Sequence, residues 1–290
     1  MPNRWTTALP WLAAVLVAAP VQAGALQGAQ ALQARHAALS DALAHSPFGR
    51  PLLLQASAAP DQPSGDVDAV LDQPFAAVAP ALQPPGHWCD ILLLQTNVKR
   101  CRPEGSGAGQ RLEVAVARRY TDRPEQAEAV RFRYTVQAAQ PGYLSVGLAA
   151  DEGPVGTHHY RLAFEAVPLG DRQTFVHLSY GYEPGLLARV ATRAYLAGAG
   201  RDKVGFSITG HDAEGHPIHV RGIQGVAERN TMRYFLAIEA FLATLGAPPA
   251  ERLERRLEHF HAALERYPAQ LHELALDDYL AQKRREAPAE

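Results

Sequence analysis

One acidic residue stands inside the apolar sector of a long helical segment, where its charge needs a partner. The apolar row of residues 228–245 predicts a buried helix, and Glu239 falls between Phe235 and Met232 on that helix. An unpaired carboxylate in this position would be costly or would have a raised pKa. Two interpretations remain open: a buried ion pair with an arginine of the sheet or of covering helices, or a polar group at the bottom of a ligand cavity.

Histidines supply the other candidate groups for acid–base or metal chemistry. His211, His216 and His219 surround one predicted hairpin, and imidazoles there could in principle bind zinc. His216 and His219 are three residues apart, however, which on a strand sends them to opposite faces. We therefore predict an exposed turn and no metal site. His158 precedes Tyr160 by two residues and is expected to face the interior beside it, as a buried or rim histidine or as an acid or base.

The sequence lacks the short motifs of common catalytic sites. It contains no G-x-S-x-G nucleophile turn, no H-E-x-x-H zinc motif, no Walker loop and no dinucleotide-binding glycine turn. The glycine-rich residues 105–109 have neither a predicted preceding strand nor the lysine that a phosphate site needs. We expect a flexible loop there and no cofactor, and whether the protein is an enzyme stays open.

Only two cysteines are present, Cys89 and Cys101. In an oxidising compartment, an isolated pair this close in sequence indicates a disulfide rather than a redox or metal site. The chain-entropy model gives such a short loop about 3 kcal/mol of stabilisation. We therefore predict a structural disulfide between them.

Five runs of alternating apolar residues predict consecutive β-strands, because successive side chains on a strand point to opposite faces. The runs cover residues 112–116, 130–136, 144–148, 158–164 and 176–182. Turn-forming residues separate them, so we expect an antiparallel meander. One of its faces is apolar and aromatic, which predicts a buried side and a solvated side. The charged residues of the solvated side are Arg131, Arg133, Arg161 and Glu165.

Other elements precede this meander. Residues 27–45 are rich in alanine and leucine and predict a helix, and residues 51–57 and 66–71 predict short strands. Pro74 suits the first turn of a helix that runs to about residue 82. Residues 88–94 are apolar and fit either a short helix or a buried strand.

Helices and a hairpin follow the meander. Residues 186–197 form an amphipathic pattern, and residues 204–220 predict a hairpin whose strands we expect to join the sheet. The buried helix over 228–245 comes next. A helix on the domain surface then carries an apolar stripe from Leu253 to Leu264, and a charged helical stretch continues to Arg285.

The order of a strand, a helix, five antiparallel strands and a long buried helix resembles that of START-like proteins. The residues that carry the resemblance are 66–71, the helix from Pro74, the runs from 112 to 182 and the helix 228–245. The resemblance implies an α+β fold of the helix-grip (SRPBCC) type, in which a curved antiparallel sheet grips a long C-terminal helix, here with extra N- and C-terminal helices. The helix over 186–197 and its hairpin interrupt the usual strand-to-helix junction.

Proteins of this type typically hold a hydrophobic ligand between sheet and helix, and some relatives use the same cavity for enzymatic chemistry. The side chains expected to line such a cavity are those of Phe132, Tyr134, Tyr160, Phe164, Tyr180, Phe235 and Glu239. A filled core would use the same aromatic residues, so the sequence leaves an open cavity and a filled core as alternatives.

The first 23 residues have the organisation of a Sec-type signal peptide. Arg4 supplies the positive region, residues 9–19 the apolar region, and residues 21–23 a small-x-small cleavage site after Ala23. No second long apolar run follows, so we expect a protein of the periplasm or the extracellular space with no transmembrane anchor. The predicted layout is a signal peptide (1–23), an N-terminal helix and linker (24–63), a START-like domain (64–246) and a C-terminal helical extension (247–290).

Composition makes a nucleic acid or an anionic membrane surface a poor partner. The formal net charge is −2, and no basic block stands out. The first functional hypothesis, which rests on export, the helix-grip pattern and the lack of catalytic motifs, is an exported, non-enzymatic binder of a lipid or other hydrophobic small molecule. The alternatives are an enzyme that uses the same cavity, with Glu239 or His158 as acid or base, and an envelope scaffold that contacts a protein partner through its C-terminal helices.

Overall fold

The computed structural model describes residues 20–57, 59, 61–198 and 200–286, which form an α+β fold. The strands of the main sheet are β1 (Leu52–Ser57), β2 (Ser64–Leu71), β3 (Val98–Glu104), β4 (Arg111–Val116), β5 (Glu128–Gln140), β6 (Tyr143–Gly153), β7 (Thr157–Leu169) and β8 (Gln173–Pro184). The helices are α1 (Pro20–Ala44), α2 (Phe75–Ala81), α3 (Pro85–Leu92), α4 (Leu186–Ala197), α5 (Gly222–Ala243), α6 (Pro249–Leu264), α7 (Pro268–Leu271) and α8 (Leu276–Glu286). A separate hairpin joins β9 (Ile208–His211) to β10 (Pro217–His219).

The eight antiparallel strands form one curved sheet in the order β1-β2-β8-β7-β6-β5-β4-β3. Helix α5 packs against β1, β2 and β8 on what we call the inner face of the sheet, with α2 and α3 beside it. This is the helix-grip arrangement expected from the order of elements, with an antiparallel sheet packed against a long helix. Gly65 of β2 permits the close approach of α5, since a Cβ there would lie 2.3 Å from the Thr231 hydroxyl.

Strand alternation divides the apolar residues between two clusters. Phe164 of β7 pairs with Leu178 of β8, and both face α5 in the main core. Val167 pairs with Phe175, and both face outward, where they pack with Leu32 of α1 in a second cluster. The two pairs lie on opposite faces because three residues separate them along each strand.

Helix α1 therefore covers part of the outer face that the sequence predicted to be solvated. Arg35 binds the buried carboxylate of Asp68 through Nε and Nη2, at 2.6 and 2.7 Å, and His177 Nδ1 lies 3.0 Å from the same carboxylate. Burial alone would raise the pKa of Asp68, but the hydrogen bonds to His177 and Arg35 outweigh it and lower the pKa. This bidentate pair fixes α1 on the sheet.

The inner half of the main core is filled with aromatic side chains. Trp88, Phe164, Phe235 and Phe241 are all almost completely buried between the sheet, α3 and α5. The indole Nε1 of Trp88 donates to the Leu82 carbonyl at 2.8 Å, which satisfies a carbonyl at the end of α2. Residues 88–94 thus belong mainly to a helix, the first of the two alternatives that the sequence left open.

Two expectations about strands were wrong. The glycine-rich residues 105–109 do follow a strand, β3, whose sequence does not alternate cleanly between apolar and polar residues. Because β3 is an edge strand, it tolerates Pro103. The hairpin after α4 does not extend the main sheet, because β9 and β10 pair only with each other and expose Ile208 and Ile218.

The C-terminal helices are held more firmly than their charged sequence indicated. The ammonium groups of Lys99 and Lys283 are both buried against the Glu286 carboxylate. The N–O distance is 2.7 Å for Lys99 and 2.8 Å for Lys283. Lys283 Nζ also donates to the carbonyls of Gln95 and Val98, at 2.5 and 2.8 Å. This buried network ties the end of α8 to the segment that leads into β3.

Residues 1–19 of the predicted signal peptide lie outside the described residues, and Pro20 to Ala23 begin α1. Export therefore stays a prediction. No helix within the described ranges is both long and apolar enough to cross a membrane. The predicted disulfide is confirmed: Cys89 of α3 is bonded to Cys101 of β3.

The disulfide gives a first prediction. Replacing both cysteines (Cys89→Ser with Cys101→Ser) should lower the free energy of unfolding by about 3 kcal/mol, because the bond restricts a short loop in the unfolded chain. Chemical denaturation with and without reductant measures this difference. Reductant should destabilise the wild-type chain and leave the double variant unchanged; equal sensitivity of both proteins would contradict the prediction.

The buried lysine gives a second prediction. Burial lowers the pKa of Lys283 to about 8, below its ordinary 10.5. Between these pH values the unfolded chain binds more protons than the folded one, so the free energy of unfolding should rise with pH, by up to about 3 kcal/mol. Lys283→Met should remove this rise, and other titrating groups cancel in the comparison of the two proteins. Parallel profiles of wild type and variant would contradict it.

Candidate functional site

Five aromatic rings form a continuous cluster between the sheet and α5. The cluster lies at the end of the sheet where β5 and β7 begin and β8 ends. The rings of Tyr160 and Tyr182 stack at 5.2 Å between centroids, and Phe132 meets Tyr160 edge-on at 6.2 Å. Tyr180 lies 6.0 Å from Tyr182 and 4.8 Å from Tyr234 of α5. We call these five residues the aromatic cluster. Tyr180 is buried and the other four are half-buried, so the cluster reaches the protein surface.

Strand alternation and one irregularity place these rings. Phe132 of β5 and Tyr180 and Tyr182 of β8 point inward as the period of two predicts. Tyr160 of β7 follows a register shift between His158 and Arg161, and its hydroxyl donates to Thr157 Oγ1 at 3.0 Å. The ring lies so close to β6 that a Cβ on Gly153 would be 2.3 Å from it, so only glycine fits there.

The tyrosine hydroxyls of the cluster stay protonated over a wide pH range. Burial, followed by the nearby hydroxyls of Tyr234, Tyr160 and Tyr182, raises the pKa of Tyr180 well above 10. Burial and Tyr160 raise the pKa of Tyr182 to about 12. Burial likewise raises the pKa values of Tyr160 and Tyr234. Neutral hydroxyls can each donate and accept a hydrogen bond, so the cluster presents polar groups among apolar ring faces.

Two of the predicted cavity residues belong instead to the filled core. The Tyr134 hydroxyl donates to the Gln83 carbonyl at 2.6 Å, beyond the end of α2. Phe164 meets the Trp88 ring edge-on at 6.2 Å and is fully buried. These side chains hold α2 and α3 against the sheet.

The remaining two predicted residues lie together on α5 beside Arg50. The Glu239 Oε2 atom accepts from Arg50 Nη2 at 2.7 Å, and the guanidinium carbon lies 5.5 Å from the centre of the Phe235 ring. Phe235 is fully buried, whereas the Glu239 side chain is 20% exposed. Glu239 therefore forms an ion pair, and its partner belongs to the segment that precedes β1 rather than to the sheet or a covering helix. A role of Glu239 at a ligand cavity stays a prediction.

Two surface depressions in the described part of the chain lie away from the aromatic cluster. Glu239 and Arg50 border one of about 330 Å³, together with His259 and Arg266. A second, of about 520 Å³, lies between α1 and the sheet edge near His36. Both are open to solvent, and no ring of the cluster lines either of them.

The histidines occupy exposed positions. His158 is exposed rather than turned toward the interior, because His159 adopts a left-handed conformation (φ 50°) that breaks the alternation; His159 Nδ1 lies 2.8 Å from a Glu183 carboxylate oxygen. The expectation for His158 was wrong. His211 and His216 are exposed on the hairpin, and His219 is half-buried with Nδ1 3.2 Å from the Phe206 carbonyl.

The hairpin turn brings Asp212, Glu214 and His216 within 4.8 Å of one another. Asp212 Oδ1 accepts from the backbone N–H groups of Glu214 and His216, at 3.1 and 2.8 Å, which is an ordinary turn-forming role for aspartate. All three residues are exposed, so the arrangement needs no ion to explain it.

Sequence reasoning missed Tyr182 and Tyr234. Tyr182 ends the alternating run of β8, and its parity with Tyr180 signalled an inward direction. Tyr234 lies in the apolar row of α5, where it looked like an ordinary core residue.

Comparison with known proteins gives only distant likenesses. No protein-family model matches the chain, and no curated protein matches it. Human STARD10 is similar over 78% of this chain and 82% of its own, at 10% identity and a TM-score of 0.39. Human StAR-related lipid transfer protein 5 is similar over 61% of this chain and 90% of its own, at 10% identity and a TM-score of 0.31. Norcoclaurine synthase from Thalictrum flavum is similar over 51% of this chain and 80% of its own, at 14% identity and a TM-score of 0.34. Likenesses this distant say nothing of ligand or activity.

Proposed function

We propose that this protein binds a lipid or other hydrophobic small molecule at the aromatic cluster, between the sheet and α5. The observation that carries the proposal is the group of five rings, four of them half-buried, at the accessible end of the grip. Large rings offer apolar area at little entropic cost, because each has few rotatable bonds.

The hydroxyls of the cluster suggest what kind of ligand fits. Neutral tyrosines at physiological pH can bind one polar atom of an otherwise apolar molecule, such as a carbonyl or hydroxyl oxygen. The raised pKa values of Tyr180 and Tyr182 keep these donors intact. We therefore favour a ligand with a neutral polar group at one end and an apolar body.

The filled half of the core limits how deeply the ligand enters. Trp88, Phe164, Phe235 and Phe241 occupy the space between sheet, α3 and α5. The ligand therefore lies at the aromatic cluster, against Phe132, and not deeper between the sheet and α5. Neighbouring side chains have to move to make room for it there. The site residues of the proposal are Phe132, Tyr160, Tyr180, Tyr182 and Tyr234.

Neither alternative function has a comparable observation in its favour. An enzyme would need Glu239 and His158 near one reacting group, but Glu239 pairs with Arg50 outside the cluster and His158 is exposed at the start of β7. A scaffold acting through the C-terminal helices would need an apolar patch there, and the exposed leucines of those helices, Leu253 and Leu276, are each only about two-fifths exposed.

We further propose that binding takes place outside the cytoplasm, in the periplasm or after secretion. The signal-peptide pattern of residues 1–23 carries this part of the proposal, and the Cys89–Cys101 disulfide supports it, because such bonds persist mainly in oxidising compartments. Protein released from the periplasm without refolding can be analysed by native mass spectrometry. This one measurement tests the location of the protein, cleavage after Ala23 and the presence of a bound ligand. A co-purifying hydrophobic mass is expected; repeated recovery of ligand-free protein would contradict the proposal.

The aromatic cluster gives a third prediction. Replacing the stacked pair (Tyr160→Ala with Tyr182→Ala) should weaken binding of a fluorescent fatty-alcohol analogue at least about tenfold, because two ring faces are lost. Fluorescence titration measures the change. Tyr143→Phe is the matched control, since Tyr143 lies on the outer face against α1 and should not contact the probe. Equal affinities of the double variant and wild type would place the probe elsewhere.

The Glu239 ion pair gives a fourth prediction. Glu239→Gln should lower the free energy of unfolding by about 1 kcal/mol, since it removes one partner of a half-buried charged hydrogen bond, and should leave probe affinity unchanged. Chemical denaturation and the same titration measure both quantities. If stability is retained and probe binding is lost, Glu239 contacts the ligand instead, as the cavity interpretation holds.

A further inference from the structure

Helix α4 turns its large apolar side chains away from the protein. Leu186, Leu187 and Val190 are 81%, 61% and 54% exposed, whereas Ala188 is 5% exposed. Ala188, Thr192 and Leu196 lie one turn apart and face the body of the protein, so Leu186, Leu187 and Val190 lie on the opposite side of the helix. An amphipathic surface helix normally buries its apolar side, and this one does the reverse.

Although the whole chain has a formal net charge of −2, the charged residues of α4 itself are both positive. The helix contains Arg189 and Arg193 and no aspartate or glutamate, and the next arginine, Arg201, is paired with Asp202 at 3.3 Å. Arg189 and Arg193, both exposed, lie four residues apart and border the apolar side of the helix. An aliphatic face edged by arginines is the pattern of helices that lie in the interface of an anionic bilayer, where aliphatic side chains enter the acyl boundary and cations bind headgroups.

We propose that the exposed face of α4, formed by Leu186, Leu187 and Val190 with Arg189 and Arg193, docks onto the surface of an anionic lipid bilayer. Charge complementarity favours this occupant, because an apolar protein partner alone would not account for arginines without neighbouring acids on the helix. Helix α4 directly follows β8, which carries Tyr180 and Tyr182, so docking would bring the membrane surface close to the aromatic cluster. The inference goes beyond the proposed ligand site and does not require a bound ligand.

Vesicle co-sedimentation of the full chain gives a fifth prediction. The protein should bind equimolar phosphatidylglycerol and phosphatidylcholine vesicles and bind phosphatidylcholine alone much more weakly. Leu187→Ser with Val190→Ser should weaken binding at least about tenfold, and Arg189→Gln with Arg193→Gln should weaken it about fivefold per arginine. Leu253→Ser is the matched control, because Leu253 is a comparably exposed leucine on α6 and should bind like wild type.

A labelling experiment covers the case in which a variant is destabilised. An environment-sensitive fluorophore on Leu187→Cys should shift to shorter wavelength with anionic vesicles, and the same label on Leu253→Cys should not. Absence of wild-type sedimentation, or equal binding by the serine double variant, would overturn the proposal. A wild-type dimer that the double variant abolishes, without vesicle binding, would overturn it in favour of a second copy of the chain. Ligand binding at the aromatic cluster is measured separately and can survive either result.

Discussion

The packing of α5 against the inner face of the sheet is the contact on which the rest of this structure depends. Strands β2 and β8 bury their inner residues only because α5 supplies a complementary apolar row, and α5 is too apolar to be stable in water by itself. Gly65 sets how closely the two approach. The same contact divides the grip into a filled half, next to α2 and α3, and an outer end where the aromatic cluster reaches the surface.

Buried charges position the two ends of the chain on this scaffold. Arg35 joins α1 to Asp68 on the outer face, and Glu286 joins α8 to Lys99 beside β3. Such pairs contribute little net stability after desolvation, but breaking one leaves an uncompensated charge, so they favour one docking position over others. The N-terminal helix therefore lies on the outer face of the sheet, and the end of the C-terminal helix lies against β3.

The end of the sheet near α4 combines three features that fit one another. Half-buried tyrosines lie among apolar rings, α4 packs against the end of β8 and the turn before β7, and α4 presents leucines and arginines to solvent. A protein that exchanges an apolar molecule with a membrane needs both a ligand site and a surface that approaches lipid. The proximity of the two along the chain, through the junction of β8 and α4, makes a joint role physically coherent.

The sequence by itself determined the local structure. A period of two predicted β4 to β8, apolar rows predicted α4 and α5, and the isolated Cys89 and Cys101 predicted a disulfide, because these patterns depend on neighbours near in the chain. Tertiary structure alone decided the partner of Glu239, since Arg50 is 189 residues away in sequence. It also decided that His158 is exposed, through the left-handed His159, and that α4 faces its leucines outward. Helical periodicity shows that one side is apolar, but only packing determines which side is buried.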